Sequence, residues 1–193
     1  MVSSSISGKS NSPRGIICSM ARIGIGDLAP KFSLESVNKG TVSMKDYDGK
    51  RLVIIFGRYF GCPVCQLDFD ELLKHREMIR EYAEMVYFTQ SSLESARDYI
   101  GEYEVDFPVI PVLKEDDYKI YRDYDVGNMG PSTLFNIFKK AREAKKAGKI
   151  HGAYEGRETQ SPADFVVDEE GRIIWVNRGL LNIEKLLIFL ESL

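Results

Sequence analysis

Two rhythms of apolar and polar positions run along this chain. RLVIIF (51–56) is short, β-branched, apolar on both faces and closed by Gly57, the pattern of a buried central strand. From Cys65 onward the spacing changes: Phe69, Leu72, Leu73 and Ile79 recur with charges between them, one face of a helix. EMVYFTQS predicts a further strand and SLESARDYIGEYE a helix opened by a capping serine. FPVIPVLKEDDYKIYRDYDV predicts a short extended piece, then a helix. In GPSTLFNIFKKAREAKKAGK, Pro131 near the start and Gly148 near the end bracket another helix. SPADFVVDEEGRIIWVNRG predicts two strands joined by a turn at Glu169-Glu170-Gly171, and Asn182 caps a last helix with Ile183, Leu186, Leu187 and Leu190 on one face. Before the central strand, Lys31–Ser36 predicts a short strand followed by a turn at Asn38-Lys39-Gly40. Strands and helices alternate, with a hairpin and a helix at the end: an α/β sandwich with a mixed sheet.

Composition narrows the function classes. A chain of 193 residues, 44% hydrophobic, suffices for one core, and no linker or repeat divides it. Residues 1–24, Ser-rich and without an apolar core of signal-peptide length, read as a flexible tail, and 25–193 as a single domain. A net charge of −3 gives no indication of nucleic acid as a partner. No stretch reaches the roughly 18 to 20 apolar residues that span a bilayer, so no membrane span is expected. Three cysteines do not make a secreted disulfide scaffold, and the cytoplasm is the expected compartment.

Two of those cysteines, Cys62 and Cys65, stand where the central strand hands over to a helix. Helix N-termini carry unpaired N–H groups and a partial positive charge, which favour thiolate, the reactive form. Pro63 between them costs the first turn little, because its missing N–H has no partner there in any case. A pair at this spacing serves redox exchange, a metal site, or packing as buried thiols. Zinc needs two further ligands, and Cys18, His75 and His151 do not form a second close pair. Redox use is favoured, and no metal or organic cofactor is expected.

GDLAPKFSLES, the cysteine at a helix start, FPVIPVLKEDDYKIYRDYDV and ADFVVDEEGRIIWVNRG, in that order, resemble the AhpC/TSA peroxiredoxin-like family. The resemblance extends to the branch related to selenoprotein U, which also carries Cys-x-x-Cys and an extra helical segment before the last hairpin, here 130–150. It implies a thioredoxin-like three-layer sandwich, a central mixed sheet flanked by helices. It also implies an antioxidant thiol oxidoreductase that reduces peroxides through a Cys62/Cys65 dithiol–disulfide cycle. The oxidised pair would be returned by an external thioredoxin- or glutaredoxin-like reductant. Relatives often pair through sheet edges or loops, so a homodimer is a further expectation from the resemblance.

Laid over the usual Pro-x-x-x-Thr-x-x-Cys motif, Cys65 takes the peroxidatic place, Cys62 that of the threonine and Arg58 that of the proline. Where peroxidases have an arginine before the late strand, this chain has Pro162. Thioredoxins carry a cis proline there, which makes Ser161–Pro162 a candidate cis bond. These departures favour dithiol exchange, and in thioredoxins the first cysteine attacks. A thioredoxin-like disulfide reductase is therefore the close alternative, and a non-catalytic interaction module the distant one. Which sulfur attacks stays open at this level.

Arg58 and Arg178 are candidates to supply positive charge beside the thiolate. Asp68, Asp70 and Glu71 read as solvated helix surface, not general bases. His75 lies about 15 Å along the helix from Cys65, too far for a base. Cys18 is a poor second resolving thiol. The basic helix 131–149, with Leu134, Ile137, Phe138 and Ala141 on one face, is expected to pack that face on the domain and leave its lysines in water.

Overall fold

A computed structural model describes residues 22–193. Its elements are β1 (Ser33–Ser36), β2 (Gly40–Ser43), β3 (Leu52–Phe56), α1 (Pro63–Arg80), β4 (Glu84–Thr89), α2 (Leu93–Ile100), β5 (Val109–Pro111), α3 (Lys119–Asp123), α4 (Pro131–Lys146), β6 (Ala163–Val167), β7 (Ile173–Asn177) and α5 (Ile183–Glu191). Residues 1–21, including Cys18, lie outside the described part. Immediately after them, the Ile23 N–H donates to Asp125 Oδ2 at 2.8 Å and its carbonyl accepts from Arg178.

The main sheet runs β5-β4-β3-β6-β7. β3 pairs parallel with β4 and antiparallel with β6, and β5 adds parallel to β4. β3 is apolar at every position because both its faces are covered. Leu52, Ile54 and Phe56 face one layer, with Phe32, Val42, Tyr121 and Tyr124. Val53 and Ile55 face the other, with Phe69 and Leu72 of α1, Ala96 of α2 and Leu186 of α5. A strand's two-residue period divides its side chains between the layers in this way. Phe56 centres the first layer, stacked on Phe88 at 5.0 Å and edge-on to Phe165 at 5.7 Å. The mixed sheet with helices on it is the three-layer sandwich expected.

The last hairpin is the one the alternation predicted. Gly171 turns it at φ +80°, and Asp168 Oδ1 accepts the N–H groups of Glu170 and Arg172. Asn182 caps α5 by accepting from Lys185 N. The chain leaves α4 through Gly148, at φ +76°, the left-handed residue that ends many helices. The early strand begins at Ser33, two residues later than predicted, and its partner β2 was not expected at all. Among the described residues no helix is long and apolar enough to cross a membrane.

The fate of α4 departs from expectation. It lies beside α1, but only Ala144 is buried on it. Ile137 and Ala141 pack on the cysteine loop, whereas Leu134, Phe135 and Phe138 are 45%, 74% and 64% exposed. Its apolar residues spread over more of the circumference than the domain can cover.

Candidate active site

β3 ends at Phe56, and the loop that follows is fixed before α1 begins. Gly57 passes so close to Tyr87 that any Cβ there would fall on the Tyr87 hydroxyl. The Arg58 carbonyl accepts from Gln90 N and from Thr89 Oγ1, and Phe60 N donates to Ser91 Oγ at 2.8 Å. The tip of β4 therefore holds the loop on one side. Cys62 is the N-cap of α1 and Pro63 its first residue. Both cysteines are free, lie 3.6 Å apart and are 4% exposed.

Arg58 is the polar partner of the pair. It is 6% exposed, and its guanidinium divides between two acceptors: Nη2 donates to Cys62 Sγ at 2.6 Å and Nη1 to the Glu158 carbonyl at 2.7 Å. Burial works against its charge, but the sulfurs of Cys65 and Cys62 more than offset that and hold it protonated.

The two thiols are driven apart. Cys62 is lowered to about 6, first by the hydrogen bond from the Cys65 thiol, then by Arg58 and the N–H groups of Cys65 and Val64, all against burial. Cys65 is pushed well up, because its proton is held in the bond to Cys62 and because it is buried beside that charge. At neutral pH the pair is one thiolate, Cys62, accepting from one thiol, Cys65.

Beneath them lies a group that sequence reasoning placed in water. Asp68, one helical turn beyond Cys65 on the same face, is 7% exposed and paired with Lys140 of α4. Burial raises it to about 6 against the pull of Lys140. It is not solvated surface, because α4 covers that part of α1. Asp70 is half-buried and pairs with Lys149 at 2.5 Å, whereas Glu71 pairs with Lys74 in the open. His75 Nδ1 sits 2.8 Å from the Glu71 carbonyl, in its own helix.

Two other expected residues stand differently. Arg178 is not at the sulfurs: it bonds the carbonyls of Ile23, Tyr124 and Asp125 and lies over the Phe165 ring at 5.2 Å. Leu180, two residues on, does pack on the cysteine cluster, but the Arg178 guanidinium is taken up by those carbonyls. Pro162 is buried, and since Ala163 pairs with Phe56 it falls level with Gly57, where the cysteine loop departs. Its peptide bond is trans, correcting the cis expectation: Ser161 N bonds the Gly127 carbonyl at 2.9 Å and the chain runs straight on into β6.

Sequence reasoning missed the segment 149–160, which crosses the cysteine loop backbone to backbone. Gly152 N donates to the Gly61 carbonyl at 2.8 Å, and a Cβ on Gly61 would fall on the Ala153 carbonyl. Glu158 accepts the Tyr59 hydroxyl. The glycines at 152 and 156 were the only sequence hint of close approach. Between this segment, α4 and the start of α1 opens a groove of about 890 Å³, with Cys62 and Arg58 at its floor and Met129, Leu134, Ile137 and Phe138 on its walls. Among the described residues no group of three or more His, Cys, Asp or Glu is placed to hold a metal.

The model of the AhpC/TSA family matches residues 25–176, and the chain belongs to that family. No curated protein matches it in sequence. Among solved structures it is similar to the reduced 2-Cys peroxiredoxin of Plasmodium vivax, with a TM-score of 0.63 and 15% identity over 87% of this chain and 80% of that one. The thioredoxin domain of a thiol-disulfide oxidoreductase from Bacteroides vulgatus has a TM-score of 0.59 and 18% identity over 88% and 97%. A thioredoxin-family thiol:disulfide interchange protein from Chlorobium tepidum has 0.57 and 17% over 86% and 94%. At these identities the likeness is one of fold, and the fold is thioredoxin-like.

Proposed function

We propose that this AhpC/TSA protein is a thiol–disulfide oxidoreductase in which Cys62 attacks and Cys65 resolves. The observation that carries the reading is the polarised pair: Arg58 and the start of α1 stabilise a thiolate on Cys62, while Cys65 keeps its proton. Attack by the Cys62 thiolate on a disulfide forms a mixed disulfide and expels the partner's thiolate. Cys65 then loses its proton and attacks Cys62 Sγ, releasing the second substrate thiol and closing the Cys62–Cys65 disulfide. Asp68, one turn away and held near neutrality, suits the role of proton acceptor in that step. A dithiol reductant of the thioredoxin or glutaredoxin kind returns the pair to its starting state.

Peroxide reduction is the second reading, favoured by the family and by a charged donor at the nucleophile. There Cys62 takes the terminal peroxide oxygen, giving sulfenic acid and an alcohol or water, and Cys65 condenses with it to the same disulfide and water. Cys65, more deeply placed and with its proton held, is the poorer nucleophile in either case.

The test is to mix the Cys65→Ser protein with a chromogenic disulfide and, separately, with hydrogen peroxide. A stable mixed disulfide on Cys62, formed faster than any peroxide-dependent sulfenic acid, is expected. Mapping of the adduct to Cys65 in the Cys62→Ser protein, at wild-type rate, would reverse the assignment. Faster peroxide consumption than disulfide exchange would put the second reading first.

A further inference from the structure

We propose that Glu158 is a positioning residue for Cys62, acting through Arg58. The inference rests on the reading of Cys62 as the attacking thiolate.

Arg58 is a buried cation on a flexible side chain, and contact with Cys62 alone would leave half of its donor fork without a partner. The second arm is held by the Glu158 carbonyl, which fixes the plane of the guanidinium and so aims Nη2 at the sulfur. A surface loop would be a poor anchor unless it were itself held, and it is. The Glu158 carboxylate accepts the hydroxyl of Tyr59, a residue 1% exposed and adjacent to Arg58. The preceding residues are tied to Gln90, just past β4, as well: Arg157 N donates to Gln90 Oε1 at 2.8 Å, and a Cβ on Gly156 would strike the Gln90 and Tyr59 side chains. Residue 158 thus grips two consecutive residues of the cysteine loop, its carbonyl on Arg58 and its carboxylate on Tyr59. Its charge is not what Cys62 feels; its geometry is.

Removing the side chain takes away the tie to Tyr59, one of the contacts that set the carbonyl at 158, so the second anchor of Arg58 shifts and its aim loosens. The experiment follows Cys62 thiolate by ultraviolet absorbance and by alkylation rate against pH, with the alkylated cysteine identified by mass spectrometry. For Glu158→Ala the thiolate midpoint rises, and alkylation below the midpoint slows about three- to tenfold, since a midpoint one pH higher leaves about a tenth of the thiolate there. Glu158→Gln keeps an acceptor for Tyr59 and stays near wild type. Adding Glu158→Ala to Arg58→Met gives no further loss, as expected when one acts through the other.

A lowered melting temperature with an unmoved midpoint would overturn the proposal, leaving Glu158 a structural tie. A fall in the midpoint with both Ala and Gln would also overturn it, in favour of simple charge. If Glu158→Ala does not fold, Tyr59→Phe removes the same bond and is judged by the same rise in midpoint. Preferential alkylation of Cys65 in the wild type would instead strike down the underlying assignment, whatever the Glu158 variants do.

Discussion

Arg58 Nη2 stands 2.6 Å from Cys62 Sγ, four residues on in the chain, and both are buried. The contact has two measurable consequences. Arg58→Met raises the Cys62 midpoint above about 6, and reaction at pH 6 slows by about five- to sixfold when the midpoint moves from 6 to 7. The same loss weakens the dithiol form relative to the disulfide, in which the charge has no thiolate to face. The reduction potential therefore falls, by about 30 mV per 1.4 kcal/mol. Equilibration with a glutathione buffer reads it, and an unmoved potential would mean that Arg58 contributes little to the thiolate.

Stability of the reduced protein depends on pH in two opposing ways. Asp68 and Asp164 are both raised from 3.8 to about 6, chiefly by burial. For groups raised on folding, the stabilising contribution is complete below the unfolded value and lost as pH rises through the folded one. Unfolding free energy should therefore fall between about pH 4 and 6, by about 1–3 kcal/mol per group. Cys62 is lowered from 9.0 to about 6, so its contribution is present above 9 and lost as pH falls through 6. The urea midpoint should pass through a minimum near pH 6 to 7. Alkylating Cys62 should remove the rise on the alkaline side and leave the acid side intact.

Lys140 and Asp68 join α4 to α1 with both side chains mostly out of water. Lys140→Met leaves the carboxyl buried without its cation. Breaking one half of such a pair costs about 3–5 kcal/mol when the remaining group stays charged. Asp68 can avoid part of that cost by keeping its proton, so the loss should be larger at pH 8 than at pH 5. Equal losses at the two values would show that Asp68 does not titrate in this range.

Gly57 is required by contact, not by conformation. Gly57→Ala forces its methyl group onto the Tyr87 hydroxyl, and overpacking of this kind costs about 1–3 kcal/mol. Gly57→Ala combined with Tyr87→Phe, which removes the offending oxygen, should recover part of the loss. Thermal melts of the four proteins measure the coupling, and strict additivity would place the strain elsewhere.

What could be read from the sequence depended on whether its cause was local. The apolar run Leu52–Phe56 and the switch of period at Cys65 come from burial on two faces and then on one, so β3 and α1 were legible. The cysteine pair at their junction was legible for the same reason. GTVS at 40–43 carries one buried residue, Val42, and gave no period to detect. Asp68 was misplaced although it shares a helical face with Cys65 and Leu72. That spacing could have flagged it, but its partner Lys140 is 72 residues away. Glu158 reaches the site from 100 residues beyond Arg58, in a segment with no periodicity, and nothing local marks it. Arg178 had the right chemistry, but the carbonyls that take up its guanidinium are brought to it by the tertiary fold.

The distance in sequence between Arg58 and Glu158 bears on synthesis. β3, central in the sheet, needs β6 from beyond residue 162, and the guanidinium that bonds Cys62 also bonds the carbonyl of residue 158. A nascent chain that has exposed only its first hundred residues carries the cysteines with neither the sheet nor the guanidinium in place. Their thiols then titrate like those of an unfolded peptide and stay largely protonated at neutral pH. The lowered Cys62 midpoint therefore arrives only with the second half of the polypeptide, and until then the pair has the low reactivity of ordinary protonated thiols.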